Sequence, residues 1–136
     1  MNIKTIMTND PTGQQLIEFA SQTAQQLVRD QLTRGQVRNI FTEVRKIEAL
    51  WEAESVKKPE EQNYTKALRR LVMLKPKMDY QTARIPQVQR LKDVLSQAID
   101  EVVKGQSPTE QTERFKRFMN LFEAILAYHR ALGGRN

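Results

Sequence analysis

The strongest pattern in the sequence is the spacing of apolar residues in its last long segment, from Phe115 to Gly134. Apolar side chains recur there three and four positions apart, at Phe115, Phe118, Met119, Phe122, Ile125, Leu126, Ala127 and Leu132. This spacing places them in one wide stripe on an α-helix. Because each large apolar side chain contributes about 1.5–3 kcal/mol when it is fully buried, the segment predicts a helix at the centre of the core.

The rest of the sequence also predicts helices. Only 5 Gly and 5 Pro occur among the 136 residues, which leaves little material for tight hairpin turns. Capping signatures mark two helix starts, Thr33 to Gln36 and Ser107 to Glu110. Pro76 interrupts a helical pattern, and a proline there ends or kinks a helix. We therefore predict an all-α fold, a compact bundle of about five helices with one kinked near Pro76.

The length of the chain fits one domain. A chain of 136 residues can bury a self-sufficient core, so no second domain is needed. Residues 1–11 show no periodicity and end in Asp10-Pro11, so we expect a flexible N-terminal arm there. Residues 12–136 then form a single helical domain, whose first helix runs from about Thr12 to Arg29.

Composition excludes several classes of protein. The sequence has no Cys, which excludes disulfides, thiolate metal sites and a cysteine nucleophile. Its apolar runs are too short for a membrane span, and its first residues lack the apolar region of a secretory signal. We expect a soluble, cytoplasmic protein that makes no contact with a membrane.

Charge is distributed unevenly along the chain, whose net charge is +6. Residues 66–92 contain eight basic residues and one acidic residue, Asp79, whereas residues 93–113 contain five acidic residues and one basic residue, Lys104. This asymmetry indicates an anionic partner for one face of the protein, and nucleic acid is the commonest such partner.

Three arginines cluster on the second predicted helix. Steps of 100° per residue place Arg34, Arg38 and Arg45 within about 40° of one another, at the edge of the apolar face. They can reach outward together toward an anionic ligand. The alternative is a solvated flank on which the arginine stems cover apolar surface.

A second basic cluster surrounds the break at Pro76. Lys75, Lys77 and Arg84 occur there with Tyr80, and such a set can contact a phosphate backbone while the ring stacks on a base or ribose. The alternative is that Tyr80 belongs half to the core and the charges keep the surface soluble. The residue pattern alone leaves both interpretations open.

The sequence offers little for catalysis. The single His, His129, falls at the edge of the last apolar stripe, where a packed and hydrogen-bonded side chain is commoner than a general base. The five Asp are scattered, unlike the clustered carboxylates of a metal-dependent nuclease, and the adjacent glycines end a helix. We expect no enzyme, no catalytic residue, no metal and no cofactor. A small hydrolase that uses His129 and Glu123 is a third hypothesis beside the two that follow.

Three segments resemble the motifs of a known family. LTRGQVRNIFTEV (Leu32 to Val44) resembles its Leu-Thr-x-x-Gln-x-Arg helix start, and LKPKMDYQTAR (Leu74 to Arg84) resembles its Leu-Lys-Pro-Lys-x-x-Tyr segment. FKRFMNLFEAILAYHRALGG (Phe115 to Gly134) is similar to its Phe-Glu-Ala-x-x-Ala-Tyr-His signature, which ends in Gly-Gly. With the three in the family's order, the chain resembles the small helical subunit of the type III-A CRISPR effector, the Csm ribonucleoprotein. One departure is Ala83, where the family commonly has Gly before its Arg.

The resemblance implies an all-helical, non-catalytic subunit of an antiviral ribonucleoprotein complex. Its implied partners are the CRISPR guide RNA, the target RNA, the repeating backbone subunits, the large polymerase subunit and other copies of itself. It also implies that the two basic clusters bind RNA phosphates through Arg34, Arg38, Arg45, Lys75, Lys77 and Arg84. Phosphate contacts do not depend on the base sequence, which suits a subunit that serves many different guide RNAs.

The leading hypothesis is therefore an RNA-binding subunit of a CRISPR effector. The alternative, from another class, is a protein-only helical adaptor whose basic face meets an acidic protein partner. RNA binding that weakens as salt rises separates the first from the second.

Overall fold

The last helix of the chain lies at the centre of the structure, a computed structural model that describes residues 2–136. The described residues form six α-helices: α1 (Ile3–Thr8), α2 (Gln14–Arg29), α3 (Arg34–Ser55), α4 (Thr65–Arg84), α5 (Gln89–Val103) and α6 (Pro108–Ala131). Helix α6 packs against α1, α2, α3 and α5, while α4 packs against α3 and α5. The predicted all-α fold and the central position of the last helix are confirmed.

Helix α6 is buried on more than one side because four helices surround it. Its buried residues include the predicted Phe115, Phe118, Met119, Phe122 and Ile125. They also include two residues outside the predicted apolar stripe, Leu121 and His129, whereas Leu132 is exposed beyond the last turn.

The flexible arm expected over residues 1–11 needs correction, because residues 3–8 form α1. Three apolar residues of α1 are buried, Ile3, Ile6 and Met7, and the helix packs on α5 and α6. Arg117 of α6 donates hydrogen bonds to the carbonyl oxygens of Ile6, at 3.2 Å, and Asp10, at 3.1 Å. This short helix is the difference between the five helices expected and the six observed.

Both predicted capping signatures are confirmed. The Thr33 hydroxyl accepts from the Gln36 amide at 3.2 Å, and the Gln36 side chain accepts from the Thr33 amide at 2.9 Å, a complete capping box. The Ser107 hydroxyl accepts from the Glu110 amide at 3.1 Å. These local bonds fix where α3 and α6 begin, and α3 carries the first arginine cluster.

Pro76 does not end its helix, since α4 is continuous from Thr65 to Arg84. A proline at this position removes the amide that would otherwise bond to the carbonyl of Val72, four residues earlier. Pro76 and Val72 are both exposed, so water can reach that carbonyl. Lys77, Tyr80 and Arg84 therefore stand on one unbroken helix.

Candidate nucleic-acid interface

The structure leaves Arg38 and Arg45 on the outer surface of α3. Both are exposed, and Arg38 forms no ion pair with any residue between 2 and 136. Arg45 donates to Glu48 at 2.7 Å and lies 3.7 Å from Glu123 of α6. The hydrogen bond to Glu48 raises the pKa of Arg45 above its ordinary value, so this guanidinium stays charged.

Arg34, the third arginine of this cluster, is in a different environment. It is the first residue of α3, it is only partly exposed, and its Nε atom is buried without a hydrogen-bond partner in the described chain. Its backbone amide donates to the carbonyl of Arg135 at 2.6 Å, next to the end of the chain. Arg38 and Arg45 are thus more open to a ligand than Arg34.

Lys75 and Lys77 point to opposite sides of α4. Lys75 donates to Asp100 of α5 at 2.6 Å, whereas Lys77 donates to Glu43 of α3 at 3.0 Å. Residues two positions apart on an α-helix are rotated by about 200° around its axis, so the side chains of Lys75 and Lys77 cannot share a face. The structure therefore does not bring Lys75 together with the rest of the second cluster.

Lys77, Tyr80 and Arg84 line one shallow groove between α3 and α4, together with Asn39 and Glu43 of α3. The Tyr80 side chain is 65% exposed, so the alternative in which it belongs half to the core is wrong. The Arg84 guanidinium lies 5.9 Å from the centre of the Tyr80 ring, within the range of a cation–π contact. The groove thus presents cations and an open aromatic ring together.

Two further basic residues, neither of them in the two predicted clusters, lie close to Glu43, which lines this groove. Lys46 of α3 lies 3.3 Å from the Glu43 carboxylate, and Arg70 of α4 lies 3.6 Å from it. The hydrogen bond from Lys77 is the largest cause that lowers the pKa of Glu43, and Lys46 adds to it. Arg70 could have been predicted from the sequence, because the spacing of seven from Arg70 to Lys77 to Arg84 keeps the three residues on one edge of a helix.

His129 is packed and hydrogen-bonded, as the sequence predicts. It is fully buried, and its Nε2 atom lies 2.8 Å from the carbonyl oxygen of Leu32. Glu123, the other residue of the hydrolase hypothesis, forms an ion pair with Arg45 at 3.7 Å. Within residues 2–136 no group of three or more side chains is placed to hold a metal ion, and no helix there is long and apolar enough to cross a membrane.

Comparison with known families gives a match over most of the chain. The family model described as Csm2 Type III-A matches residues 10–135. The matched region contains α2 to α6 in full, and with them both basic clusters, while α1 precedes it. No curated protein and no solved structure matches the chain.

Proposed function

The chain belongs to the Csm2 Type III-A family, the small subunit of the type III-A CRISPR complex, and we propose that it contributes a non-catalytic RNA-binding face to that complex. The face spans the outer surface of α3 and the groove between α3 and α4. Its cations are Arg38 and Arg45 on α3 and Lys77 and Arg84 on α4. It binds the phosphate backbone of the guide RNA and target RNA, which leaves base sequence unread.

The observation that carries this proposal is the availability of cations on the face. Arg38 and Arg84 are both exposed, and neither has an ion pair within residues 2–136. Arg84 lines the groove with Asn39, whereas Arg38 lies about 100° further round α3 from Asn39, on the outer surface of that helix. Cations without a carboxylate partner are free to neutralise phosphates, which makes binding of RNA sensitive to salt.

Lys75 has a structural role in this proposal. Its ammonium group bonds to Asp100 at 2.6 Å, and its side chain is 35% exposed. It thereby ties α4 to α5 on the side away from the groove. Arg34 supports the start of α3 and contributes to RNA binding less than Arg38 does.

Packing on neighbouring protein subunits has support on a surface of α4 that adjoins the groove at Met73. Val72, Met73 and Val103 are 40%, 51% and 43% exposed, and they line one shallow apolar depression with Leu68. Exposed apolar side chains that lie together are a feature of protein contact sites. We assign this patch to a contact with another subunit of the Csm complex, either a backbone subunit, the large polymerase subunit or another copy of this chain.

The test of RNA binding uses the full chain and a fluorescein-labelled single-stranded oligouridylate, with fluorescence anisotropy as the readout. Removing two free cations, Arg38→Gln with Arg84→Gln, should raise the Kd by about fivefold or more and flatten its dependence on salt, because two phosphates lose partners. The matched control is Lys4→Gln with Arg130→Gln, which removes two exposed cations that also lack an ion pair within residues 2–136 but lie outside this face, on α1 and α6. Equal losses in both double variants, or binding of wild type that is unchanged at high salt, would overturn the proposal.

The adaptor alternative keeps the same basic face but gives it an acidic protein partner. It predicts that nuclease treatment leaves a co-purifying complex intact and that RNA does not compete with the partner. Release of this chain from the complex by ribonuclease would favour the RNA-binding function instead.

A further inference from the structure

Glu43 lies where three cations from two helices converge. Its Oε1 atom is 3.0 Å from Lys77 Nζ and 3.6 Å from Arg70 of α4, and its Oε2 atom is 3.3 Å from Lys46 Nζ of α3. The three cations and one carboxylate leave a local charge of +2. An anion is therefore still attracted to this point when Glu43 is present.

The carboxylate is less accessible than the cations around it. The Glu43 side chain is 25% exposed, while Arg70, Lys77 and Lys46 are 39%, 53% and 56% exposed. The cations thus meet Glu43 on their inner side and face solvent on their outer side. An anion that arrives from solvent meets all three without unfolding either helix.

The position of this cluster relates it to the RNA-binding face. Glu43 lines the same groove as Lys77, Tyr80 and Arg84. Arg70, Lys77 and Arg84 follow one another at intervals of seven along the edge of α4 that faces α3. Two turns of helix separate neighbouring cations by about 10.5 Å. A backbone that runs along this edge can therefore meet them in succession.

We propose that Lys46, Arg70 and Lys77 form a phosphate-binding subsite for RNA, and that Glu43 occupies it as an internal counter-anion until a phosphate displaces it. The subsite rests on the proposed RNA-binding function. It adds Lys46 and Arg70 to the RNA-binding face and identifies Glu43 as a competitor of the phosphate. Lysine and arginine groups that surround one oxyanion suit a phosphodiester, because its two free oxygens carry the charge that the carboxylate carries. Competition from Glu43 weakens RNA binding by the free protein.

The experiment compares Glu43→Gln with Glu113→Gln in the full chain, using the labelled oligouridylate at about 50 mM salt, where phosphate contacts are strong. Glu113 is the matched control because it also pairs with a lysine, Lys116 at 3.6 Å, but on α6 and outside the groove. Both variants raise the net charge by one. Glu43→Gln should lower the Kd by about three- to tenfold, since it removes three surface ion pairs, and Glu113→Gln by much less.

A double-mutant cycle locates the effect. The gain from Glu43→Gln should vanish when Lys46, Arg70 and Lys77 are all changed to Gln, because the competitor then has nothing to occupy. A gain that persists in that background, or equal gains from the two Glu variants, would overturn the subsite. Circular dichroism and urea unfolding show that each variant is folded at the assay temperature.

The outcomes also separate the subsite from the wider function. If wild type binds RNA and loses affinity with Arg38→Gln and Arg84→Gln, yet Glu43→Gln behaves like Glu113→Gln, then the subsite alone fails. If wild type binds no RNA, and Glu43→Gln binds none either, the RNA-binding function fails together with the subsite.

Discussion

Two lysines only two positions apart in sequence have different partners, and this difference decides their roles. Lys75 bonds to Asp100 of α5, and Lys77 bonds to Glu43 in the groove on the α3 side. The first contact joins two helices on the side away from the candidate RNA-binding face. The second places a cation inside that face.

We expect Lys77→Gln to raise the Kd for RNA by about two- to fivefold, the effect of one surface charge pair, whereas Lys75→Gln leaves the Kd nearly unchanged. Lys75→Gln should instead lower the free energy of unfolding by up to about 1 kcal/mol, because it removes an ion pair between α4 and α5. Anisotropy and urea unfolding on both variants measure these effects. A loss of RNA affinity in Lys75→Gln as large as that in Lys77→Gln would contradict the assignment.

At the scale of single residues, the sequence predicts which side chains are basic but not which of them are available. Arg38 and Arg45 differ by their carboxylate neighbours, and Glu123 lies far from Arg45 along the chain. Glu43 meets Lys77 across 34 positions. Such pairs form only when helices pack, so the spacing within one helix carries no information about them.

Helix boundaries could be predicted because their causes are local. The Thr33 and Gln36 capping box and the Ser107 cap each join residues three positions apart, and they begin α3 and α6 as expected. Gly133, at φ +82°, ends α6, and the Gly134 amide returns to the carbonyl of His129 at 2.8 Å. Helix α1 also begins at a local cap, where the Asn2 side chain accepts from the Thr5 amide at 2.7 Å, but its six residues contain too few turns to show an apolar period.

The burial of α1 gives a prediction at the scale of a helix. Met7 is fully buried, so Met7→Ala should lower the free energy of unfolding by about 2–5 kcal/mol, as truncation of a core side chain does. Lys4→Ala on the exposed side of the same helix is the control and should change it by less than about 0.5 kcal/mol. Urea denaturation followed by circular dichroism measures both. If Met7→Ala unfolds like wild type, residues 3–8 contribute nothing to the fold and the expected arm would describe them better.

On the scale of the whole molecule, α4 contributes to two adjoining surfaces of different chemistry. The side that faces α3 has the groove with Lys77, Tyr80 and Arg84. The side toward the end of α5 has the apolar depression with Val72, Met73 and Val103. Because the helix continues through Pro76, α4 contributes to both surfaces as one continuous helix. Met73 lines both the groove and the depression, whereas Lys77, Tyr80 and Arg84 line only the groove and Val72 and Val103 line only the depression.

Separate surfaces predict separable defects. The double change Val72→Ser with Val103→Ser should reduce incorporation of this chain into a reconstituted Csm complex, because it removes apolar area from the patch. It should leave RNA binding by the isolated chain unchanged, since neither residue lines the groove. The control is Val56→Ser, which alters a valine that is 86% exposed just after α3 and outside the patch. Co-purification with tagged partner subunits and anisotropy with oligouridylate measure the two functions on the same preparations. The double variant Arg38→Gln with Arg84→Gln should show the opposite pattern. Its isolated chain should bind RNA more weakly, while its incorporation into the complex should be unchanged. Loss of RNA binding in the valine variant would mean that RNA and protein contacts share one surface of α4.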